Sequence, residues 1–243
     1  MSEQQTQEPP FQVQIVPVTA FEQNCSIIRA PNGAAAVVDP GGEVKRILEV
    51  AMSMNARIEK IWLTHGHLDH AGGAMELKRC TGAVIEGPTE EEAFWLDQIE
   101  DNWKRYGGGD GENCKPDRFL KDGDVLEIGG VEFNVVHTPG HTPGHVVIYH
   151  QSARVAFVGD VLFAGSIGRT DFPRGNHQQL LDSITQKLWP LGDLQFVSGH
   201  GPVSTFHRER KTNAFVADQL TGYQGAEKQA ANIAAQKTTK RYQ

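Results

Sequence analysis

The sequence predicts an α/β (α+β) chain in which two sheets pack face to face with helices outside. Short apolar, β-branched runs alternate with amphipathic stretches of helical period, and the second half of the chain repeats the style of the first. Residues with metal-binding chemistry also stand directly after several strand-like runs, where a rigid sheet can hold converging side chains. A chain of 243 residues can bury a full core as one domain.

Taken in order, strands are expected near 13 to 18, 26 to 30 and 34 to 38. A helix follows from about Glu43 to Asn55, with Ile47, Leu48 and Met52 on one face. A strand at 58 to 63 leads into a histidine-rich segment, a second helix runs from about His70 to Arg79, and a short strand covers 83 to 86. A third helix opens near Pro88-Thr89 with Glu90, Glu91 and Glu92 in its first turn, and Gly107 to Gly111 ends it. The second half supplies strands near 125 to 137, 145 to 150 and 154 to 159, a helix at about 177 to 188, a strand at 194 to 198 and a helix at about 207 to 219.

Residues 1–10 are polar with no apolar core, which argues against a signal peptide or an anchor and for a flexible extension. Residues 11–220 form the expected catalytic domain, and the polar tail at 221–243 has few apolar residues, which favours disorder or a frayed helix. A formal charge of −7 without a Lys/Arg run gives no field for nucleic acid or an anionic membrane, and a cytoplasmic address is expected. Cys25, Cys80 and Cys114 are odd in number and widely spaced, so reduced thiols are expected in place of disulfides or a thiolate metal site. The sequence sets no oligomeric state.

The segment His65-Gly66-His67-Leu68-Asp69-His70 packs four potential ligands into six positions after the apolar run Ile61-Trp62-Leu63. Neutral imidazoles with a carboxylate suit zinc, iron or manganese, which accept nitrogen and oxygen together. Three more candidates each end a strand-like run: His141 in the Pro139-Gly140-His141 turn, Asp160 after Gly159, and His200 before Gly201-Pro202.

In this order and residue type the chain closely resembles the metallo-β-lactamase superfamily, whose signature is His-x-His-x-Asp-His followed by a His, an Asp and a His. The spans Thr138–His145, Gly159–Phe163 and Ser198–Pro202 look most like its glyoxalase II branch, in particular the short bacterial hydroxyacylglutathione hydrolases. The likeness runs from about Val13 to about Asp218, including Thr19–Cys25 and Val38–Gly42.

That resemblance implies a four-layer αββα sandwich with its site along one edge. It implies two divalent metal ions, zinc first, with iron or manganese as the other options: His65, His67 and His141 on one, Asp69, His70 and His200 on the other, and Asp160 bridging them with a water-derived hydroxide. The implied reaction is hydrolysis of a glutathione thioester, S-D-lactoylglutathione, to D-lactate and glutathione, in methylglyoxal detoxification. Asp69 is the expected catalytic residue besides being a ligand, accepting a hydrogen bond from the attacking water. Arg169 is the expected substrate-binding cation, at a position where longer relatives place a substrate-contacting lysine. Pairing with Asp171 is its competing role. The helical domain by which those longer relatives help hold glutathione looks absent here.

Among the other polar residues, Asp39 reads as a turn-stabilising or supporting carboxylate, and His145 as a partner that orients ligands. His137, His150, His177 and His207 carry no expected role. Arg174, Arg208 and Arg210 read as solvated, and Trp62, Trp95, Trp103 and Trp189 as core or interface aromatics. The competing function is a glutathione persulfide dioxygenase with a single iron on two histidines and an Asp, which looks similar through Gly168–Phe172. A non-catalytic metal-binding protein is a third reading. Secreted zinc β-lactamases are disfavoured for want of an export signal, and nucleases of the superfamily for want of room for their extra domain.

Overall fold

The computed structural model describes residues 10–106, 109 and 111–223. The expected N-terminal extension apart from Pro10, the tail from 224 onward and most of the 107–111 segment therefore lie outside the described residues.

The first sheet is ordered β1-β2-β3-β4-β5. Its strands are β1 (Gln12–Val18), β2 (Gln23–Arg29), β3 (Ala34–Val38), β4 (Arg57–Trp62) and β5 (Val84–Glu86). The first three pair antiparallel and the last three parallel. The second sheet is built from β6 (Val125–Ile128), β7 (Val131–His137), β8 (Val146–His150), β9 (Val155–Gly159), β12 (Gln195–Ser198) and β13 (Ser204–Thr205), in the order β13-β12-β9-β8-β7-β6. Between β9 and β12 the small hairpin β10 (Leu162–Phe163) and β11 (Ser166–Ile167) stands apart.

The period-two alternation of the strands explains the layering. In β3, Ala35 and Val37 join one apolar cluster with Ile47, Ala51, Ala74 and Leu77 of the helices. Their neighbours Ala36 and Val38 join another with Phe133, Val135, Ile148 and Phe157 of the second sheet. Both faces of β3 are thus covered, which is why Ala-Ala-Ala-Val-Val is apolar throughout. On the far side, Val147, Ala156 and Val158 meet Leu180, Ile184 and Phe206. The order is helices, sheet, sheet, helices, as the resemblance implied.

Helices depart from the expected spans where tertiary contacts intervene. In α1 (Val44–Ser53) the buried face is Val44, Ile47 and Ala51. Met52, expected on that face, is 76% exposed, because a residue advances about 100° around the helix per position. The single helix expected over 70 to 79 is two, α2 (Leu68–Ala71) and α3 (Ala74–Thr81), parted at Gly72-Gly73, where the Gly73 N–H donates to the Pro40 carbonyl at 2.8 Å. The third starts where expected, as a 3-10 turn over Glu90–Glu92, but continues as α4 (Ala93–Leu96) and α5 (Ile99–Arg105). The run from 125 to 137 is a hairpin turning at Gly129-Gly130, both with positive φ. In the second half, α6 (His177–Asp182) passes into a π-helical turn over Ser183–Leu188, and the last expected helix divides into α7 (Phe206–Thr212) and α8 (Asp218–Thr221). It breaks at Asn213, whose side-chain amide donates back to the Glu209 carboxylate at 2.8 Å and across to the Ser166 carbonyl at 3.0 Å. Among the described residues, no helix is long and apolar enough to cross a membrane.

Candidate metal centre

The C-terminal ends of β4, β9 and β12, with the loop after β7, converge on one edge of the sandwich. β4 delivers His65 and His67, and α2 then turns Asp69 and His70 toward the same point. β9 ends in Asp160 and β12 leads to His200. Two glycines make the approach possible. A Cβ on Gly199 would lie 2.1 Å from Asp160 Oδ1 and 2.5 Å from the His70 ring, and one on Gly159 would lie 2.5 Å from Thr64 Oγ1. Any side chain there would push the loops apart.

All seven expected ligands come together. Two donor groups hold all seven, His65, His67, His141 and Asp160 in one and Asp69, His70 and His200 in the other, and a third group, Asp39 with His65 and His70, shares members with both. In the first, His67 Nδ1 lies 3.1 Å from His65 Nε2 and 3.1 Å from His141 Nε2. In the second, Asp69 Oδ2 lies 3.2 Å from His200 Nε2 and 3.9 Å from His70 Nε2. Asp160 stands between them, with Oδ2 at 3.7 Å from both His141 Nε2 and His200 Nε2, and Oδ1 at 3.3 Å from His70 Nε2. Ligands about 2.1 Å from a tetrahedral ion are roughly 3.4 Å from one another, so these separations suit coordination. His70 Nε2 and Asp160 Oδ1 are buried and face each other without hydrogen-bonding. Such buried, unpaired polar atoms are costly unless a cation meets both or the ring carries a proton between them.

Charge tells the two groups apart. Burial, reinforced by its histidine neighbours, lowers His65, and burial with His141 brings His67 down to about 3. Those imidazoles are neutral lone-pair donors. For His70 and His200 burial acts downward too, but Asp160 and Asp69 outweigh it and raise both. Asp160 is held well below the usual carboxylate range: burial opposes this, and His70, His141 and His200 prevail. The second group demands positive charge.

Behind the donors stands a set of orienting contacts. His70 Nδ1 meets Asp39 Oδ2 at 3.0 Å, and Asp39 also accepts from the Thr64 N–H and hydroxyl at 2.7 and 2.6 Å. The Thr64 hydroxyl in turn lies 3.1 Å from His65 Nδ1. His141 Nδ1 is 2.7 Å from the Arg169 carbonyl, and His200 Nδ1 is 3.0 Å from the Phe21 carbonyl. His145 stacks on His65 with centroids 4.7 Å apart, and its Nε2 accepts from the Asp160 N–H at 3.1 Å. Asp39 and His145 thus occupy the supporting positions expected of them.

Glu92 was not expected here. Its sequence context, Glu90-Glu91-Glu92 at a helix start, reads as surface charge, yet the carboxylate is fully buried and burial raises its pKa. It accepts from the Gly66 N–H at 2.8 Å and the Gly144 N–H at 2.7 Å. One residue therefore ties the His65–His67 loop to the His141–His145 loop.

A cavity of about 690 Å³ opens above the donors, with His67, Asp69, His141, Asp160 and His200 at its floor. Leu68, Trp95, Phe163, Ile167 and Phe172 form apolar walls. Trp95, expected as a core or interface aromatic, is buried and also lines the cavity, meeting the His67 ring edge-on at 4.7 Å. Trp62 and Trp189 are core residues, and Trp103 lies on the buried face of α5. Arg169 stands at the cavity and is paired with Asp171 through two hydrogen bonds of 2.6 Å, with its guanidinium 4.2 Å from the Phe172 ring centre. Arg174 lies over Phe94, and Arg210 pairs with Asp218. All three cysteines are free, Cys25 and Cys114 buried and Cys80 exposed.

Known proteins are similar to this chain in sequence and fold. The profile of the metallo-beta-lactamase superfamily matches residues 18–207. The chain is 43% identical over 206 residues to the hydroxyacylglutathione hydrolase GloC of Haemophilus influenzae, covering 84% of this chain and 97% of that one. Among solved structures, it is similar to the BLEG-1 B3 metallo-beta-lactamase, with a TM-score of 0.78, 34% identity and coverage of 84% and 99%. It is also similar to TTHA1623 in a di-iron-bound form, with a TM-score of 0.77, 28% identity and coverage of 84% and 100%. With the profile match spanning both donor groups and both sheets, the chain belongs to the metallo-beta-lactamase superfamily.

Proposed function

We propose that this protein is a metal-dependent thioester hydrolase that cleaves S-D-lactoylglutathione to D-lactate and glutathione, in methylglyoxal detoxification and at a cytoplasmic address. The observation that carries this reading is the position of Asp160 at the floor of an open cavity, where Oδ1 faces His70 and Oδ2 lies equally far from His141 and His200, so that the carboxylate stands between the two donor groups. The likeness to the Haemophilus influenzae hydroxyacylglutathione hydrolase supports the substrate class.

His65, His67 and His141 would hold one cation, and Asp69, His70 and His200 the other, with Asp160 shared. Zinc is the metal we assign, and iron or manganese suits the same donors. Bound there, a cation pair supplies Lewis acidity and lowers the pKa of a shared water from about 16 toward neutrality. Asp69 is buried, which favours its protonated form, but His70 and His200 hold its carboxyl below the ordinary value. It stays ionised, and we assign its carboxylate the task of accepting the attacking water's hydrogen bond and aiming the oxygen at the carbonyl. A thioester fits because a thiol with a pKa near about 8.5 departs without a strong acid. An amide nitrogen would need protonation.

Donors on both sides of Asp160 favour this reading over a persulfide dioxygenase with one iron on two histidines and an aspartate. Likeness to BLEG-1 makes a β-lactam the proper comparator. The test is turnover of S-D-lactoylglutathione, glutathione persulfide and a β-lactam by one preparation with its metal quantified. About two metals per chain with thioester cleavage is expected. One iron with oxygen uptake, or preferential lactam turnover, would overturn the assignment. No turnover of any thioester, ester or lactone would leave a non-catalytic metal-binding protein.

A further inference from the structure

One wall of the cavity is α5 with the residue that precedes it. Gln98, Asn102 and Arg105 lie at i, i+4 and i+7, so they share one helical face, and all three line the cavity. Ile99 and Trp103 on the other face are buried. A surface helix ordinarily turns its polar stripe to bulk water; this stripe is turned over the metal donors. Among the described residues its side chains keep most of their hydrogen-bonding capacity unused. The Asn102 side-chain amide makes no hydrogen bond among the described residues, and Gln98 uses only Nε2, donating to the Phe94 carbonyl. Arg105 has no carboxylate partner among the described residues, whereas Arg169 on the facing wall is already engaged by Asp171.

We propose that the Gln98-Asn102-Arg105 face is the subsite for the peptidyl part of a glutathione thioester, with Arg105 pairing with one of its carboxylates. The inference rests on the thioester reading above and supplies what that reading lacks, a holder for glutathione within this chain. Length agrees. Seven helical steps from Gln98 to Arg105 span about 10.5 Å, and an extended tripeptide spans about 10 Å. Chemistry agrees as well: the two side-chain amides offer both donors and acceptors to peptide groups, and a guanidinium binds a carboxylate with a charge-assisted fork. The acyl end then points to the floor past the apolar walls.

The test uses the full-length, metal-loaded protein with two substrates, S-D-lactoylglutathione and the neutral S-lactoyl-N-acetylcysteamine. For Arg105→Glu, KM for the glutathione ester is expected to rise about tenfold or more, the loss of one charged hydrogen bond. Its kcat and both constants for the neutral ester should stay within about twofold. Arg105→Lys should recover part of the loss, and Asn102→Ala should raise KM about threefold, a neutral hydrogen bond's worth. Calorimetry with S-methylglutathione, which cannot be hydrolysed, should lose affinity in parallel. If wild type cleaves the glutathione ester but Arg105→Glu leaves its KM unchanged, or harms both esters equally, the subsite is wrong and the thioesterase reading stands. If wild type cleaves only the neutral ester and binds no S-methylglutathione, the glutathione assignment and the subsite fall together.

Discussion

In the donor cluster at and around the cavity floor, the imidazoles His65, His70, His141 and His200 are each held through Nδ1, by Thr64, Asp39, the Arg169 carbonyl and the Phe21 carbonyl. At the rim, Arg105 and Asn102 line the cavity without a side-chain partner among the described residues, and Arg169 is held by its exposed neighbour Asp171 and the Phe172 ring. The floor is over-determined and the rim is loose. That contrast matches their tasks, since the donor geometry must survive the loss of any one contact while a substrate subsite must admit and release its ligand.

The comparison is most sharply broken by removing the shared carboxylate. Asp160→Ala should lower bound metal from about two ions per chain and reduce turnover by on the order of a hundredfold or more, since each ion contributes several kcal/mol to the transition state. Metal analysis alongside kinetics checks this, and full metal content in the variant would refute the shared-ligand geometry. Asp69→Asn with metal replenished should depress kcat by about 10² or more while KM changes little. An unchanged kcat would remove Asp69 from the chemistry. Next in size, Asp39→Asn should weaken metal affinity by about 10- to 100-fold by freeing the His70 ring. A competition titration with a chelating dye measures it, and the lost affinity should concern one ion of the two.

Glu92→Gln sharpens the comparison differently, through stability. One amide oxygen cannot accept from both the Gly66 and Gly144 N–H groups, so a buried donor is left unpaired at a cost of about 1–3 kcal/mol. Urea unfolding of the metal-free chain should show it, and a shift well under that range would mean the two loops do not depend on this carboxylate. The smallest effect belongs to the rim: Arg169→Ala should raise KM no more than about fivefold, because an exposed pair contributes little. A larger loss would make the rim as determined as the floor.

Much of the site is legible because local rules carry it. His65 to His70 announces itself by density alone, and His141, Asp160 and His200 stand where Gly and Pro end apolar runs. Strand ends at a sheet edge are brought together by the sheet, whatever the intervening loops do. Where local rules compete with distant contacts, the reading fails. Met52 looks apolar enough for the core, and only the facing sheet decides which stripe of α1 is buried. The run from His70 to Arg79 has helical period, and it takes the Pro40 carbonyl to break it at Gly73.

By itself, then, the amino-acid sequence determined the two-sheet architecture and the seven candidate donors, which follow from alternation, turn residues and ligand chemistry, while the supporting place of His145 came with the family resemblance and Asp39 reaches His70 across 31 residues. Tertiary structure alone decided that Glu92 is a buried clamp, that Trp95 faces the cavity and that α5 turns Arg105 over the donors. The reason is range. Glu92 meets Gly66 and Gly144 across 26 and 52 residues, and its burial depends on both loops being in place, a condition that no periodicity near Glu92 records.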